Sequence, residues 1–351
     1  MLKKRSLITM SLAALLIFSG CGANTQSTSG QEPVKEETAA EDTAEAVAGK
    51  LSFYTSQPEE DITKLVAAFN TKYPDVTLES FRSGTEEVIA KIQAEKQAGK
   101  VQADVLLLAD SVTFEGLKKQ DLLASYQSPE VKSIPVQFVD PDGTYSGTKI
   151  IATILAVNTQ KVTTLPTSWQ VLAAAENKDA GIMPSPIYSG AAAYNIGVLS
   201  RTDGFGWDFL NSLKANNITV IKGNGAVLKA VASGEKGYGM VVDFMVAREK
   251  AKGSQVELVY PTEGVPVITE PIAIMKDSAN EAAAKAFVDF VLSEEGQKVA
   301  AEIGYTPIRE GVPAPAGLKS SIEFNILSSD IAVLTENREA DKKQFIEVFG
   351  E

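Results

Sequence analysis

The residues whose chemistry is easiest to state are a serine followed by small residues, Ser189-Gly190-Ala191. Pro184 and Pro186 disfavour helix just before this turn, and Ser189 stands where a helix N-cap is expected. The small side chains leave the first backbone amides of the helix uncovered, at the positive end of its dipole. The pattern therefore predicts either an anion-binding turn or an ordinary capped helix with a small-residue packing face.

Three other side chains are candidates for ligand contact. Asn224 lies between two glycines at a predicted helix start, where its amide could donate to a ligand oxygen or cap the turn. Asp243 follows an apolar strand, and it could accept from a ligand ammonium or hydroxyl or cap the next helix. Arg82 could add positive charge or be a solvated strand end. Each alternative stays open from the sequence alone.

Composition excludes several classes of protein. The net charge of -12 makes nucleic acid and anionic membrane surfaces poor partners. With no histidine and a single cysteine, the chain lacks the commonest general base, cannot form an intrachain disulfide and cannot build a thiolate zinc cluster. Nucleophile-elbow, zinc and Walker motifs are absent from the sequence. We therefore expect no enzyme activity, cofactor or metal centre, although a pair of carboxylates could still do acid–base chemistry.

The N-terminal sequence predicts a targeting signal. Residues 1–20 combine the basic Lys3-Lys4-Arg5 with a short apolar run and the small residues Ser19-Gly20 before Cys21. This resembles a bacterial lipoprotein signal peptide, with a lipid attached at Cys21. Residues 21–50 lack aromatics and apolar periodicity, which predicts a disordered tether. The location implied is the extracytoplasmic face of the cell membrane, through a lipid anchor.

From residue 51 onward, short apolar strands alternate with amphipathic helices. This alternation predicts an α/β fold with mostly parallel sheets covered by helices. Because ligands bind at the carboxyl ends of such strands, three turns qualify as ligand contacts. They are residues 54–56, 83–85 and 109–111, which place Tyr54, Ser83, Gly84, Thr85 and Asp110 among the candidates.

A family resemblance rests on several short motifs in a fixed order. They are Ala103-Asp104-Val105, Pro166-Thr167-Ser168-Trp169, residues 186–191, Gly223-Asn224-Gly225, Gly234-Glu235, residues 260–264 with Glu263, and residues 287–293. Together they resemble the solute-binding proteins of ABC importers, in the branch with ferric-iron, phosphonate and sugar-phosphate binders.

The resemblance implies the type II periplasmic-binding-protein fold. Two lobes, residues 51–152 with 270–351 and residues 153–269, would be joined by two hinge crossover strands near residues 151–157 and 265–274. A ligand would bind between the lobes of a monomer, and closure would present it to membrane permease subunits.

Differences between this sequence and the family pattern indicate the class of ligand. Ferric-binding members use a tyrosine pair where this chain has Asp243-Phe244-Met245, whereas the family's anion-binding Ser-Gly-Ala is retained as Ser189-Gly190-Ala191. The expected ligand is a small phosphoryl-bearing anion, a phosphonate such as 2-aminoethylphosphonate or a sugar or organic phosphate. The resemblance also implies Tyr54 and Glu263 as ligand contacts. The alternatives are a ferric-iron binder and a ligand-sensing subunit of a two-component system.

Overall fold

A computed structural model describes residues 47–319 and 322–350 of the chain. The predicted signal peptide, Cys21 and most of the predicted tether lie outside these residues. Within them the chain forms twelve strands and ten α-helices. None of the described helices combines the length and the apolar character that crossing a membrane would require.

The bounds of the strands and helices follow the chain. The strands are β1 (Gly49–Thr55), β2 (Val76–Arg82), β3 (Val105–Leu107), β4 (Lys149–Asn158), β5 (Gly181–Pro184), β6 (Thr219–Ile221), β7 (Tyr238–Val242), β8 (Val256–Val259), β9 (Val265–Ile268), β10 (Ile272–Ile274), β11 (Thr306–Pro307) and β12 (Ile326–Leu327). The helices are α1 (Glu59–Lys72), α2 (Thr85–Gln97), α3 (Ser111–Lys119), α4 (Gly190–Leu199), α5 (Gly206–Ala215), α6 (Asn224–Ala232), α7 (Asp243–Ala251), α8 (Glu281–Leu292), α9 (Glu294–Ile303) and α10 (Ile331–Phe349).

The smaller sheet has the strand order β10-β3-β1-β2. Strands β1, β2 and β3 are parallel, and β10 joins the edge antiparallel to β3. Its core is aromatic, because Phe53 of β1 and Phe69 of α1 each pack against Phe287 of α8 with ring centroids 5.0 Å apart. Burying three such rings supplies much of the apolar area that holds the helices onto this sheet.

The larger sheet is built around β4. Its order is β12-β9-β4-β7-β5-β6, and β8 and β11 also pair with β4. The ten residues of β4 are almost all buried, which explains their continuous apolar sequence. Strands β5, β6 and β7 are parallel, so their carboxyl ends share one edge of the sheet.

The two sheets are connected where β4 begins and again between β9 and β10. Strand β9 pairs with the start of β4, whereas β10, three residues later, pairs with β3 of the smaller sheet. The predicted α/β class is confirmed. The predicted boundaries at residues 152/153 and 269/270 fall in these same connections and stay a prediction.

Helix α10 follows the second crossover along the chain, but it packs beside elements that precede that crossover. It lies within residues 270–351, which the sequence assigns to the first lobe, yet it packs on the larger sheet's side. Leu334, Phe345 and Phe349 are buried in the same apolar cluster as Phe205 and Phe209. The last helix therefore completes the apolar core beside the larger sheet.

Candidate functional site

A cavity of about 570 Å³ lies between the carboxyl-terminal edges of the two sheets. Its walls come from both sheets and from both connections between them. The lining residues are Ser56, Pro58, Glu59, Arg82, Gly84, Thr85, Ala109, Ile151, Tyr188, Ser189, Gly190, Ala191, Lys222, Gly223, Asn224, Gly225, Ala226, Val242, Phe244, Met245, Ile268, Glu270 and Tyr305. A volume of this size suits a small organic ligand.

Helix N-termini converge on the cavity from both sides. Helices α1 and α2 begin at its wall on the smaller sheet's side, and α4, α6 and α7 on the larger sheet's side. The first turns of helices leave backbone N–H groups without partners in the helix, and the dipole makes these ends positive. Five such ends meet around one cavity, and acidic side chains also stand in the first turns of α1, α2 and α7.

The turn before α4 is both a helix cap and part of the cavity wall. Ser189 Oγ accepts from the backbone amide of Ala192 at 3.3 Å, as an N-cap should, and Asn224 Nδ2 donates to the same oxygen at 3.3 Å. The amides of Gly190 and Ala191 have no acceptor among the described residues. The cap is therefore observed. Since capping uses one amide and leaves two without an acceptor, the anion-binding alternative stays a prediction.

Two glycines allow the two sides of the cavity to touch. The backbone amide of Glu86 in α2 donates to the carbonyl oxygen of Tyr188 at 3.3 Å. A Cβ on Gly84 would lie 2.5 Å from that same carbonyl oxygen, and a Cβ on Gly190 would lie 2.5 Å from the carbonyl oxygen of Ala109. Such distances are far inside van der Waals contact, so the structure shows a closed arrangement that requires glycine at both positions.

Positive side chains stand at the mouth of the cavity. Arg82 is exposed, and its Nε donates to the carbonyl oxygen of Gln57 at 2.9 Å. Lys222 pairs with Glu87 at 2.8 Å, and its Nζ lies 4.6 Å from the centre of the Tyr188 ring. The pairing therefore joins α2 to the turn before α6 across the opening.

The floor of the cavity is formed at the connections between the sheets. Glu270, between β9 and β10, is buried and pairs with Lys149 at the start of β4, with Nζ and Oε2 2.6 Å apart. Tyr305 is also buried, and its hydroxyl donates to Asp61 at 2.6 Å. Burial, together with the nearby carboxylates, raises the pKa of Tyr305 well above its usual value, so its hydroxyl stays protonated.

The structure brings seven candidate site residues together and places five elsewhere. Those in the cavity wall are Ser189, Gly190, Ala191, Asn224, Gly84, Thr85 and Arg82. Those outside it are Asp243, Tyr54, Ser83, Asp110 and Glu263. A binding role remains a prediction for every one of them.

Asp243 faces the protein interior. Its Oδ1 accepts from the amides of Ala152 and Phe244 at 3.2 and 2.8 Å, and Tyr260 donates to its Oδ2 at 3.1 Å. Burial raises the pKa of Asp243 to about 7. The side chain thus fastens the start of α7 to β4. It does not cap this helix, because Val242 is the N-cap residue and Asp243 is the first helical residue. Ligand contact by Asp243 stays a prediction.

The other four residues have partners of their own. Tyr54 donates to Glu95 at 2.7 Å, and Ser83 forms a short hydrogen bond to Glu87.

Asp110 caps α3 through the amide of Thr113 at 2.9 Å and pairs with Arg338 of α10 at 3.0 Å. Glu263 forms a short hydrogen bond with Ser168. These contacts hold the side chains away from the cavity wall, and Glu263 Oε2 is buried without a hydrogen-bond partner among the described residues.

Glu270, Tyr188 and Lys222 line the cavity but were not predicted from the sequence. The only signal for Glu270 is a charged residue within the apolar crossover of residues 265–274. Tyr188 and Lys222 each directly precede a predicted helix-capping turn, which is a weak signal. Long-range pairing, such as that of Lys149 with a residue 121 positions away, has no local sequence signature.

Within residues 47–319 and 322–350, no group of three or more histidine, cysteine or carboxylate side chains is placed to hold a metal ion. The cavity wall includes two tyrosines, Tyr188 and Tyr305, and the latter is bound to Asp61.

Sequence comparison identifies the family. Residues 101–333 match the family described as bacterial extracellular solute-binding protein, which is more than half of the chain. The chain belongs to this family. An uncharacterized protein of Haemophilus influenzae is 30% identical over 265 residues, which span 72% of this chain and 75% of that protein. A probable ABC transporter periplasmic-binding protein of Sinorhizobium fredii is 27% identical over 237 residues, 64% of this solute-binding protein and 65% of the relative.

Solved structures share the fold of this solute-binding protein. The periplasmic binding protein AfuA of Actinobacillus pleuropneumoniae, solved with fructose 6-phosphate, superposes with a TM-score of 0.79 at 26% identity, covering 86% of this chain and 99% of AfuA. Iron-bound HitA of Pseudomonas aeruginosa superposes with a TM-score of 0.75 at 24% identity, covering 84% of this chain and 99% of HitA. The predicted two-lobed, type II periplasmic-binding-protein fold and the stated branch are confirmed.

Proposed function

We propose that this solute-binding protein holds a small phosphoryl-bearing anion between its lobes and delivers it to an ABC importer. The observation that carries the proposal is the convergence of five helix N-termini on one cavity, with free amides at Gly190 and Ala191. A phosphate or phosphonate is tetrahedral and dianionic, so its oxygens can accept from several amides at once. The name of the relative from Sinorhizobium fredii supports the importer role.

The charged side chains around the cavity leave the anion to the backbone amides. Arg82 adds positive charge at the mouth, but Lys222 is paired with Glu87 and Glu59 is a carboxylate of the same wall. Screening limits repulsion from the distant acidic surface beyond about 10 Å. The fructose 6-phosphate in the AfuA structure supports a phosphoryl compound as ligand. The binding contacts proposed are the turns at Gly84-Thr85, Ser189-Gly190-Ala191 and Asn224.

Calorimetry with a panel of ligands tests the proposal. Fructose 6-phosphate, 2-aminoethylphosphonate, inorganic phosphate and ferric citrate form the panel. We expect binding of phosphoryl compounds and none of ferric citrate. Tight ferric binding with no phosphoryl compound retained would contradict the proposal and restore the iron hypothesis.

A cap substitution separates ligand contact from helix stability. Ser189→Ala should weaken phosphoryl binding about tenfold, because it removes one hydrogen-bonding group near the anion. Ser293 is a matched control, since it caps α9 through the amide of Gly296 at 3.1 Å and is not part of the cavity wall. Both variants should lose about 1 kcal/mol of stability, and only Ser189→Ala should lose affinity. Equal affinities in the two variants would argue that Ser189 is a cap alone.

The cellular arrangement is proposed from the N-terminal sequence. We propose a monomer anchored by a lipid on Cys21, on the extracytoplasmic face of the membrane and beside the permease. A Cys21→Ser variant should lose membrane association in cell fractionation. Unchanged association with processing at the same site would refute the anchor.

A further inference from the structure

The floor of the cavity contains a carboxylate with one oxygen still available. Glu270 is 5% exposed and lines the cavity. Its Oε2 accepts from Lys149 Nζ at 2.6 Å and from Gln57 Nε2 at 3.1 Å. Its Oε1 has no hydrogen bond to any residue that the structure describes. This oxygen is not sealed inside the protein, so a hydrogen-bond donor in the cavity can reach it.

The backbone holds Glu270 in this place. Its φ of +37° lies in the left-handed region that residues with a side chain seldom adopt. Its carbonyl oxygen accepts from Thr148 Oγ1 at 2.7 Å, so the residue is fixed by both crossovers. An unfavourable conformation maintained by tight contacts points to a role for the side chain at this position.

The ion pairs at the floor of the cavity determine whether a charged or a neutral hydrogen-bond donor fits beside Glu270. Lys149 already neutralises Glu270, and Arg248 neutralises Asp61 beneath Tyr305 with Nη1 and Oδ1 2.8 Å apart. A ligand ammonium placed here would meet Lys149 as a neighbouring like charge and find no uncompensated carboxylate. A neutral hydroxyl can donate to Glu270 Oε1 without adding charge.

We infer that Glu270 is a specificity-determining residue that accepts a hydrogen bond from a hydroxyl at the organic end of the ligand. The inference rests on the proposed function, in which the opposite end of the ligand is a phosphoryl group at the helix N-termini. The ligand class is then a hydroxylated organic phosphate, and an aminoalkyl phosphonate fits the floor less well.

The test compares ligands that share a phosphoryl group and differ at the other end. Dissociation constants for fructose 6-phosphate and ethyl phosphate are measured on the full chain and on Glu270→Gln. The variant should bind fructose 6-phosphate about tenfold more weakly, because the charge-assisted hydrogen bond is lost. Ethyl phosphate has no hydroxyl group on its organic part, and its affinity should change by less than about twofold, which also reports that the variant is folded.

A second variant controls for the positive charge of Lys149, which Glu270→Gln leaves without its carboxylate partner. Lys149→Met/Glu270→Gln removes both charges of the pair and should show the same selective loss. Glu257→Gln is the matched control, since Glu257 is also a glutamate paired with a lysine, Lys250 at 2.6 Å, but is not part of the cavity wall, and this variant should leave both affinities unchanged.

Three results would overturn the inference. If Glu270→Gln weakens ethyl phosphate as much as fructose 6-phosphate, the residue acts on the fold and not on the hydroxyl end. If wild type binds 2-aminoethylphosphonate more tightly than ethylphosphonate and Glu270→Gln removes that advantage, the floor takes a cation and the hydroxyl assignment is wrong. If no phosphoryl compound binds wild type, the proposed function fails and this inference fails with it.

Discussion

Gly190 shows how the absence of one methyl group shapes the closed cavity. A Cβ at this position would lie 2.5 Å from the Ala109 carbonyl oxygen and 2.8 Å from Thr85 Oγ1. Both atoms belong to the opposite side of the cavity. The sequence correctly placed Gly190 at a helix start, but the reason for the glycine is the approach of the other side as much as the approach of a ligand.

Gly190→Ala should therefore weaken phosphoryl binding by at least about tenfold, because the closed arrangement can form only if backbone atoms shift. Calorimetry with fructose 6-phosphate measures the effect. Gly225→Ala is the matched control, since Gly225 also lines the cavity at a helix start and its added Cβ would meet only Met245 Cε, at 3.8 Å. Equal losses in both variants would show that the clash at Gly190 does not limit binding.

Asp243 predicts a pH dependence of stability. Burial raises its pKa in the folded chain to about 7, above its usual value of 3.8, so the folded state holds a proton that the unfolded state releases. This stabilisation is complete below pH 3.8 and is lost as the pH rises through 7. The contribution is up to about 4 kcal/mol, at roughly 1.4 kcal/mol per pH unit.

Urea unfolding between pH 4 and pH 8 measures this contribution. Asp243→Asn keeps an acceptor for the two backbone amides and cannot ionise, so the free energy of unfolding should fall less steeply with pH than in wild type. Parallel pH profiles for the two proteins would show that Asp243 does not titrate in this range.

At the scale of elements, α10 is attached to both sides of the cavity. Its apolar residues Leu334, Phe345 and Phe349 are buried with the larger sheet. On its other face, Arg338 pairs with Asp110 and with Glu86, at 3.0 and 2.7 Å. Burial opposes ionisation of Glu86, but the positive charges of Arg338 and Lys342 outweigh it and lower the pKa of Glu86. Helix α10 thus links the starts of α2 and α3 to the other lobe.

Arg338→Leu should destabilise the closed form, because it leaves Asp110 and Glu86 buried without their guanidinium partner. The affinity for fructose 6-phosphate should fall about tenfold or more. Arg201→Leu is the control, since Arg201 pairs with Asp341 of α10 at 2.7 Å on the larger sheet's side alone. That variant should lose stability and retain affinity. A similar loss of affinity in both variants would contradict a closure role for Arg338.

The helix starts near the site could be predicted from local sequence, whereas the hydrogen-bond partners of the carboxylates that follow strands could not. Ser189, Gly223 and Asn224 are turn and cap residues with local signatures, and the helices α4 and α6 begin where these residues predict. Asp243 and Asp110 also stand just after strands, yet their partners are Tyr260, 17 residues later, and Arg338, 228 residues later. Whether a strand-end carboxylate faces a cavity depends on such distant partners.

At the scale of the whole molecule, the two-lobed fold was implied by the family resemblance that the order of the short motifs carries. The position of α10 was not predicted, because its polar sequence does not indicate which lobe its few apolar residues pack against. The positions of the crossovers came from the same resemblance, whereas the pairing of Lys149 with Glu270 between them had no local signal.

Binding should compact the whole molecule. Small-angle scattering at saturating fructose 6-phosphate should give a smaller radius of gyration than the unliganded chain. Gly190→Ala, measured alongside, should compact less because its lobes meet a clash. An unchanged radius in wild type at saturation would show that binding does not require the lobes to move.

The attachment of α10 also bears on how long a ligand stays bound. Release requires the lobes to part, and parting separates Arg338 from Asp110 and Glu86 whichever molecule is enclosed. This part of the activation barrier is the same for every cargo, because none of it is a contact with the cargo. Stopped-flow dissociation should therefore show Arg338→Leu shortening the residence times of chemically different ligands by one common factor.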